Sequence, residues 1–305
     1  MNEMGFSFLG FHEPVSSWTH LGAALYFLLA SVGLVYKSRG NTLRTTSVLI
    51  YCFSIVFLLA MSGVYHLLDH SVGRAVLQRL DHAGIWTLIM GTFTPIHVIL
   101  FDRFWRWGIL FLVWSVGITG LVLEVVFFAR IPAVLSLAFY LILGWVGVLS
   151  AVKCRQKHME KPILFLVLGG LAYSVGALLD YFRFPVIWKG VIGPHEIFHF
   201  FVIFGIFFHW KFVYCIANLA ITKRITFIVK VREGGRNIAI ANNENIRFFF
   251  ENHQEFSKNL ENHLSQTYGN YRTPCAVRVK YIREDFFNLT PSGTSPVSPE
   301  TFYER

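Results

Sequence analysis

The 305-residue chain is 54% hydrophobic and only 15% charged, a composition that excludes an ordinary soluble enzyme or binding domain. Its net charge of +9 arises from short basic clusters between apolar segments rather than from one basic face, which argues against a nucleic-acid-binding protein. We interpret these clusters as determinants of membrane topology and as contacts for anionic lipids.

Seven apolar segments follow one another along the chain, and each has about the 20 residues that a helix needs to cross a bilayer. They are residues 17–36, 46–68, 82–101, 107–128, 132–151, 162–179 and 196–220. The polar connections between them are short, which favours helices packed as neighbours in a compact bundle. The sequence therefore predicts an all-α membrane protein with a seven-transmembrane-helix bundle over residues 1–221.

Basic residues near the helix ends predict how this bundle is inserted. The first, third and fifth connections contain nine Lys and Arg residues, whereas the second, fourth and sixth contain five. This predicts a plasma (inner) membrane protein with its N-terminus outside and its C-terminal tail in the cytoplasm. No Lys or Arg precedes the first apolar segment and no A-x-A cleavage pattern follows it, so a removable signal peptide is not expected.

After about Thr222 the sequence becomes mixed and charged. Residues 225–231 alternate in a pattern typical of a strand, and residues 243–268 indicate a helix. We therefore predict a small soluble α+β domain over residues 222–305. Its last part, residues 290–305, is rich in Pro, Ser and Thr and is expected to be flexible.

Polar residues inside apolar segments are costly in a membrane, so each one is a candidate functional residue. Ser62 and His66 lie four residues apart near the end of the second segment, and His195 and His199 have the same spacing at the start of the seventh. Residues four apart share a helix face, and two such imidazoles can bind one ion. Because the chain crosses the membrane alternately, these positions lie at the same membrane face. The sequence predicts a zinc site formed by His66, His195 and His199.

Asp81 precedes the third segment at this same face. Three neutral imidazoles leave a fourth coordination position for water, as in open catalytic zinc sites. We therefore predict that Asp81 and Ser62 are catalytic residues that bind or orient this water, with Asp81 as the general base. Zinc would acidify the water and polarise a substrate carbonyl, which permits amide or ester hydrolysis at neutral pH.

Two further residues flank the first segment at this face. Glu13 and His20 are candidates to extend the metal site or bind substrate, and the alternative is that they have no direct role in the site. Other ionisable residues in or beside the apolar segments are interpreted as packed within the bundle or are left without a site role. They are His82, His97, His209, Glu124 and Glu196.

These motifs resemble the hemolysin III family and its eukaryotic relatives, the progestin and adiponectin receptor family. The similar segments are S-x-x-x-H at Ser62–His66, D-H-A-G-I from Asp81, H-x-x-x-H at His195–His199, and the stretch from Glu13 to His20. The resemblance implies a seven-helix bundle with an intramembrane zinc on three histidines that match the predicted ligands, and an aspartate matching Asp81 near the zinc-bound water. Alkaline ceramidases of the same broad superfamily imply hydrolysis of a lipid amide, whereas the bacterial members' name implies membrane lysis.

Three functions remain open from the sequence. The first is a zinc-dependent, ceramidase-like hydrolase of lipid amides within the membrane. The second is a sensor or receptor in which zinc is structural and the C-terminal tail transmits a signal to an unidentified partner. The third is a cytolysin, ranked last because seven long apolar helices without an amphipathic insertion segment suit a resident membrane protein. Membrane lipids are the expected partners, and nucleic acid is not.

Overall fold

The computed structural model describes residues 12–69, 71–155, 160–219, 221, 224–231, 237–241, 247–250, 254–259, 262 and 276–283. The chain divides into two compact units at Arg224 and Ile225. The first unit is helical and contains every predicted site residue. The second unit is built on a β-sheet.

The described part of the first unit contains eight α-helices. They are α1 Pro14–Lys37, α2 Thr42–Leu67, α3 Val72–Leu100, α4 Ile109–Phe127, α5 Ala133–Trp145, α6 Gly147–Arg155, α7 Glu160–Tyr181 and α8 Pro194–Ile216. A π-helical turn, Phe104–Gly108, precedes α4, and a short 3₁₀ turn, Phe128–Arg130, follows it. Helices α5 and α6 together form one span that is interrupted at Val146. Within the described residues, seven spans are therefore long and apolar enough to cross a membrane, which confirms the predicted architecture.

The third helix begins earlier than its apolar segment indicates. Hydropathy predicts a start near residue 82, whereas α3 begins at Val72. Ser71 caps this end, since its side chain accepts a hydrogen bond from the Arg74 backbone N–H at 3.1 Å. Hydropathy detects the part of a helix that lies in hydrocarbon, but backbone hydrogen bonding continues into the polar interface. Asp81 therefore lies well inside α3 rather than at its start.

Close helix contacts set the centre of the bundle. A Cβ atom on Gly84 of α3 would lie 2.8 Å from Cδ1 of Leu58, and one on Gly91 would overlap Ser54 on α2. These glycines let α2 and α3 approach closely, as small residues do in membrane proteins. In contrast, the large apolar side chains of α1, α4 and α5 are widely exposed, including Phe111 at 76%. Such surfaces suit lipid, and the protein is a multi-pass integral membrane protein.

Within the described residues, the second unit contains a four-stranded sheet of order β3-β2-β1-β4. Its strands are β1 Arg224–Val231, β2 Asn237–Ala241, β3 Arg247–Phe250 and β4 Ala276–Arg283. β1 pairs antiparallel with β2, and β2 pairs antiparallel with β3. The strand predicted over residues 225–231 is thus confirmed as β1.

The helix predicted over residues 243–268 is wrong at its beginning. Arg247–Phe250 is a strand that pairs with β2, and helical structure appears at residues 254–259. Three consecutive phenylalanines favour a pleated, half-buried surface, and the edge of β2 supplies backbone partners. The remaining residues of this prediction, and all of residues 290–305, lie outside the described residues.

Candidate metal centre

Three imidazoles converge at one end of the bundle. His66 lies in the last turn of α2, and His195 and His199 lie in the first two turns of α8. Nε2 of His195 is 3.3 Å from Nε2 of His66 and 3.1 Å from Nε2 of His199. One nitrogen from each ring lies within 4.8 Å of the other two. The three predicted ligands therefore form a single cluster.

The start of α8 holds two of these ligands in place. Pro194 occupies the first helical position, where its missing N–H is not needed. The Gly193 backbone N–H donates to Oε2 of Glu196 at 2.8 Å, and the Ser16 hydroxyl of α1 donates to Oε1 at 3.2 Å. Glu196 thus caps α8 and ties it to α1, a structural role that its place between the histidines did not reveal.

The cluster fits a metal ion better than a hydrogen-bond network. Carboxylates accept hydrogen bonds from Nδ1 of His66 and of His195, so each Nε2 presents a lone pair toward the cluster. Facing lone pairs repel one another unless a cation lies between them. Tetrahedral zinc, with bonds of about 2.0–2.1 Å, needs ligand nitrogens about 3.3 Å apart. The separations of 3.3 and 3.1 Å from Nε2 of His195 are close to this value, so the three histidines could hold a metal ion.

Two carboxylates orient the rings from outside. Oε2 of Glu13, just before α1, accepts the hydrogen bond from His66, and its Oε1 lies 3.3 Å from the Arg74 guanidinium. Burial opposes ionisation of Glu13, but the hydrogen bond to His66 and the positive charge of neighbours such as Arg74 lower its pKa to about 2. Asp180, in the last turn of α7, lies 3.3 Å from Nδ1 of His195. Such carboxylates set ring orientation and raise ligand basicity.

His20 supports the third ligand from the opposite side. Its ring stacks on that of His199, with centroids 3.9 Å apart and planes inclined by 28°. Its Nε2 lies 3.4 Å from the His199 backbone oxygen. Glu13, just before α1, therefore contacts His66, and His20, within α1, contacts His199.

The predicted catalytic residues face a large cavity beside the cluster. The cavity has a volume of about 670 Å³ and is lined by Ser62, Asp81, His195 and His199. Most of its wall comes from apolar side chains of α3, α5, α7 and α8, including Ile85, Leu137, Leu141, Val167 and Phe198. The structure thus brings Asp81 and Ser62 to the space that the imidazoles border.

Two features of the site could not be predicted from the sequence. Asp180 has no motif around it, although it is an acidic residue at the end of an apolar segment on the same membrane face as His195. Glu124 accepts a hydrogen bond from His82 at 3.2 Å, so His82 is hydrogen-bonded as predicted, but Glu124 proves to be a cavity residue.

The other two histidines that were predicted to pack within the bundle also have partners there. His97 contacts Ser150 and Trp105, and His209 contacts the Leu166 carbonyl.

Comparison with known proteins gives consistent matches to this region. The family model described as haemolysin-III related matches residues 8–210. The hemolysin-3 homolog of Bacillus subtilis (strain 168) is 29% identical over 195 residues, which cover 63% of this chain and 88% of the relative. Hemolysin-3 of Bacillus cereus is 27% identical over 195 residues, covering 63% and 86%. The adiponectin receptor protein of Drosophila melanogaster is 31% identical over 220 residues, covering 65% and 49%.

Proposed function

Because this chain belongs to the haemolysin-III-related family, we propose that it is a zinc-dependent hydrolase that cleaves lipid amide bonds within the membrane. The observation that carries this proposal is the convergence of three imidazole nitrogens beside a large, mainly apolar cavity. Apolar walls suit an acyl chain, and a ligand set of three histidines leaves coordination positions for water or substrate. The residues assigned to the reaction that line this cavity are Ser62, Asp81, His195 and His199.

The residues of the chain have distinct roles in this reaction. Zinc would polarise the amide carbonyl and make a water molecule acidic enough to attack it near neutral pH. Asp81 accepts the proton of the attacking water at a carboxylate oxygen and then delivers it to the leaving nitrogen. A C–O bond forms, the C–N bond breaks, and the products are a fatty acid and an amine. Ser62 donates a hydrogen bond that positions the reacting oxygen.

The outer carboxylates prepare the ligands for this chemistry. Glu13 and Asp180 accept hydrogen bonds at Nδ1 of His66 and His195, which leaves each Nε2 free to bind the ion. The stacked ring of His20 limits rotation of His199. Preset ligands reduce the reorganisation that metal binding requires.

A direct assay uses the purified full-length chain in detergent with a ceramide-like amide as substrate. We expect stoichiometric zinc by elemental analysis and release of fatty acid, and we expect His199→Ala to abolish both. His209→Gln is the matched control, because His209 lies on the same helix and lines the same cavity but lies outside the cluster. Protein without stoichiometric metal, or a His199→Ala variant with full activity, contradicts the proposal.

A membrane sensor or receptor with a structural metal is the second candidate. It is favoured by the second unit, which has its own small core of Val229, Ala239, Phe250 and Phe256. Deletion of residues 225–305 separates the two functions. A hydrolase retains metal and activity after the deletion, whereas a receptor retains metal but loses its downstream response.

The basic residues of the odd-numbered connections support a defined orientation. We propose that the protein lies in the plasma membrane with the second unit in the cytoplasm. A fluorescent protein fused to the C-terminus then fluoresces, and alkaline phosphatase fused there is inactive. The opposite pair of results contradicts this orientation.

A further inference from the structure

The connection between α7 and α8 has an unusual surface for a segment outside the membrane spans. The sixth span ends at Tyr181 and the seventh begins at Pro194. Between them, residues 182–192 form the α7–α8 hairpin, which a bridge between Trp188 and Ile192 closes. Large apolar side chains of this hairpin are between 57% and 70% exposed, namely Phe182, Phe184, Val186, Ile187 and Trp188. Such a surface is costly in water, because removing apolar groups from water is favourable.

The backbone of the hairpin is largely paired within the protein. The Ile192 carbonyl accepts hydrogen bonds from the N–H groups of Ile187 and Trp188, both at 3.0 Å, and the Ile192 N–H donates to the Trp188 carbonyl at 2.8 Å. The N–H groups of Phe182 and Phe184 donate to carbonyls in the last turn of α7. A segment can enter an apolar medium only if the protein itself satisfies its backbone groups. The hairpin is therefore built to tolerate such a medium.

The apolar surface of the hairpin continues that of the preceding span. Near the end of α7, Leu178 and Tyr181 are 41% and 46% exposed, as suits side chains that face lipid. Phe182 follows Tyr181 directly, so exposed apolar side chains extend past the end of the helix. The bilayer that surrounds α7 is thus adjacent to the surface of the hairpin.

The charges of the hairpin complement the surface of a bilayer. Arg183 and Lys189 are exposed, and the hairpin contains no acidic residue. Aromatic rings beside basic residues are typical of the membrane interface, where rings lie at headgroup level and cations meet lipid phosphates. The connection between α2 and α3, at the same face, is different, since it contains Asp69 with a side chain that is 84% exposed. Charge and apolar exposure together favour lipid as the partner of the hairpin.

We propose that the α7–α8 hairpin inserts into the leaflet next to the histidine cluster, with its apolar side chains among the acyl chains and Lys189 against a lipid phosphate. This inference rests on the membrane location of the chain and not on the proposed hydrolysis. Asp180, Tyr181 and Arg183, at the base of the hairpin, line the cavity, and Asp180 contacts His195. The inserted hairpin therefore brings lipid headgroups to the part of the cavity wall that adjoins the cluster.

The first experiment measures the depth of the hairpin. Ile187→Cys is labelled with the fluorophore NBD in the full-length chain, which also carries Cys215→Ser and Cys275→Ser and is held in phosphatidylcholine–phosphatidylglycerol nanodiscs. We expect lipids with a spin label near the top of the acyl chain to quench the fluorescence. Asp69→Cys, labelled in the same way, is the matched control at the same face. We expect iodide to quench the hairpin label about fivefold less than this control, since ions are excluded from an apolar medium.

Each other result of this experiment overturns the inference. Iodide quenching equal to that of the Asp69→Cys control shows that the hairpin lies in water. Protection from both iodide and the spin-labelled lipids shows that a protein partner or a second copy of the chain covers it. Phe184→Cys, at another exposed position of the hairpin, provides the same test with the same outcomes if Ile187→Cys does not fold.

A second experiment tests the phosphate contact. Quenching at Ile187→Cys is compared between spin-labelled phosphatidylglycerol and spin-labelled phosphatidylcholine. We expect the anionic lipid to quench more, and Lys189→Gln to lower this preference about fivefold, the effect of losing one basic residue near an anionic surface. Lys189→Arg keeps the charge and is expected to keep the preference. Equal quenching by the two lipids, or an unchanged preference in Lys189→Gln, overturns the inference.

The two proposals fail separately, because neither quenching experiment depends on amide cleavage. An inserted hairpin in protein that cleaves no amide contradicts only the proposed hydrolysis. A hairpin in water in an active enzyme contradicts only the insertion.

Discussion

Helix α2 buries a polar residue at each end, and the two residues have opposite surroundings. At its start, Arg44 donates to the backbone oxygens of Ser38, Arg39 and Leu219. At its end, His66 donates to Glu13 but presents its Nε2 to two other imidazole nitrogens. The protein alone satisfies the first group, whereas the second faces two imidazoles with which it could hold a metal ion. A buried polar group with complete partners stabilises the bundle, and one without them indicates a binding site.

Loss of His66 is the strongest test of this contrast. We expect His66→Ala to lose stoichiometric metal, because only two imidazoles remain and two-ligand sites bind zinc weakly. Elemental analysis of the purified protein measures this loss. Retention of one metal ion per chain would show that His66 is not a ligand.

Arg44→Met tests the other end of α2. We expect the free energy of unfolding to fall by about 2–3 kcal/mol, because several carbonyl groups lose a charged donor. Metal content should stay at the wild-type level. Thermal unfolding in detergent measures stability, and Arg39→Met is the control, since Arg39 is exposed. If Arg44→Met loses metal while remaining folded, the two ends of α2 are not independent.

A smaller effect is expected from the carboxylate that orients His195. Asp180→Asn should weaken metal affinity by about 10–100-fold, the usual effect of losing an outer carboxylate. Competition with a fluorescent chelator measures this affinity. Arg183→Gln is a suitable control, because Arg183 also contacts Asp180 but is exposed to solvent. Equal affinities for Asp180→Asn and Arg183→Gln would limit the role of Asp180 to packing.

The histidine cluster was accessible from the sequence because two simple rules apply to it. The spacing of His195 and His199 places both on one helix face, and alternate crossing brings the end of α2 to the same membrane side. Side-chain contacts between different helices could not be predicted in this way. The contact of His82 with Glu124 depends on how α3 and α4 are rotated against each other. The strand β3 was missed because a short aromatic run has no periodicity that separates strand from helix.

The sequence by itself determined the number of spans, and it predicted three histidine ligands and a polar C-terminal region, because bilayer thickness and helix period act on local sequence. Only the tertiary structure decided that Asp180 contacts Nδ1 of His195 and that Glu124 lines the cavity. In a membrane helix, both the lipid-facing side and the packed side are apolar, so hydropathy does not define rotation about the helix axis. Contacts such as that between Gly84 and Leu58 set this rotation, and with it the partners of each buried polar group.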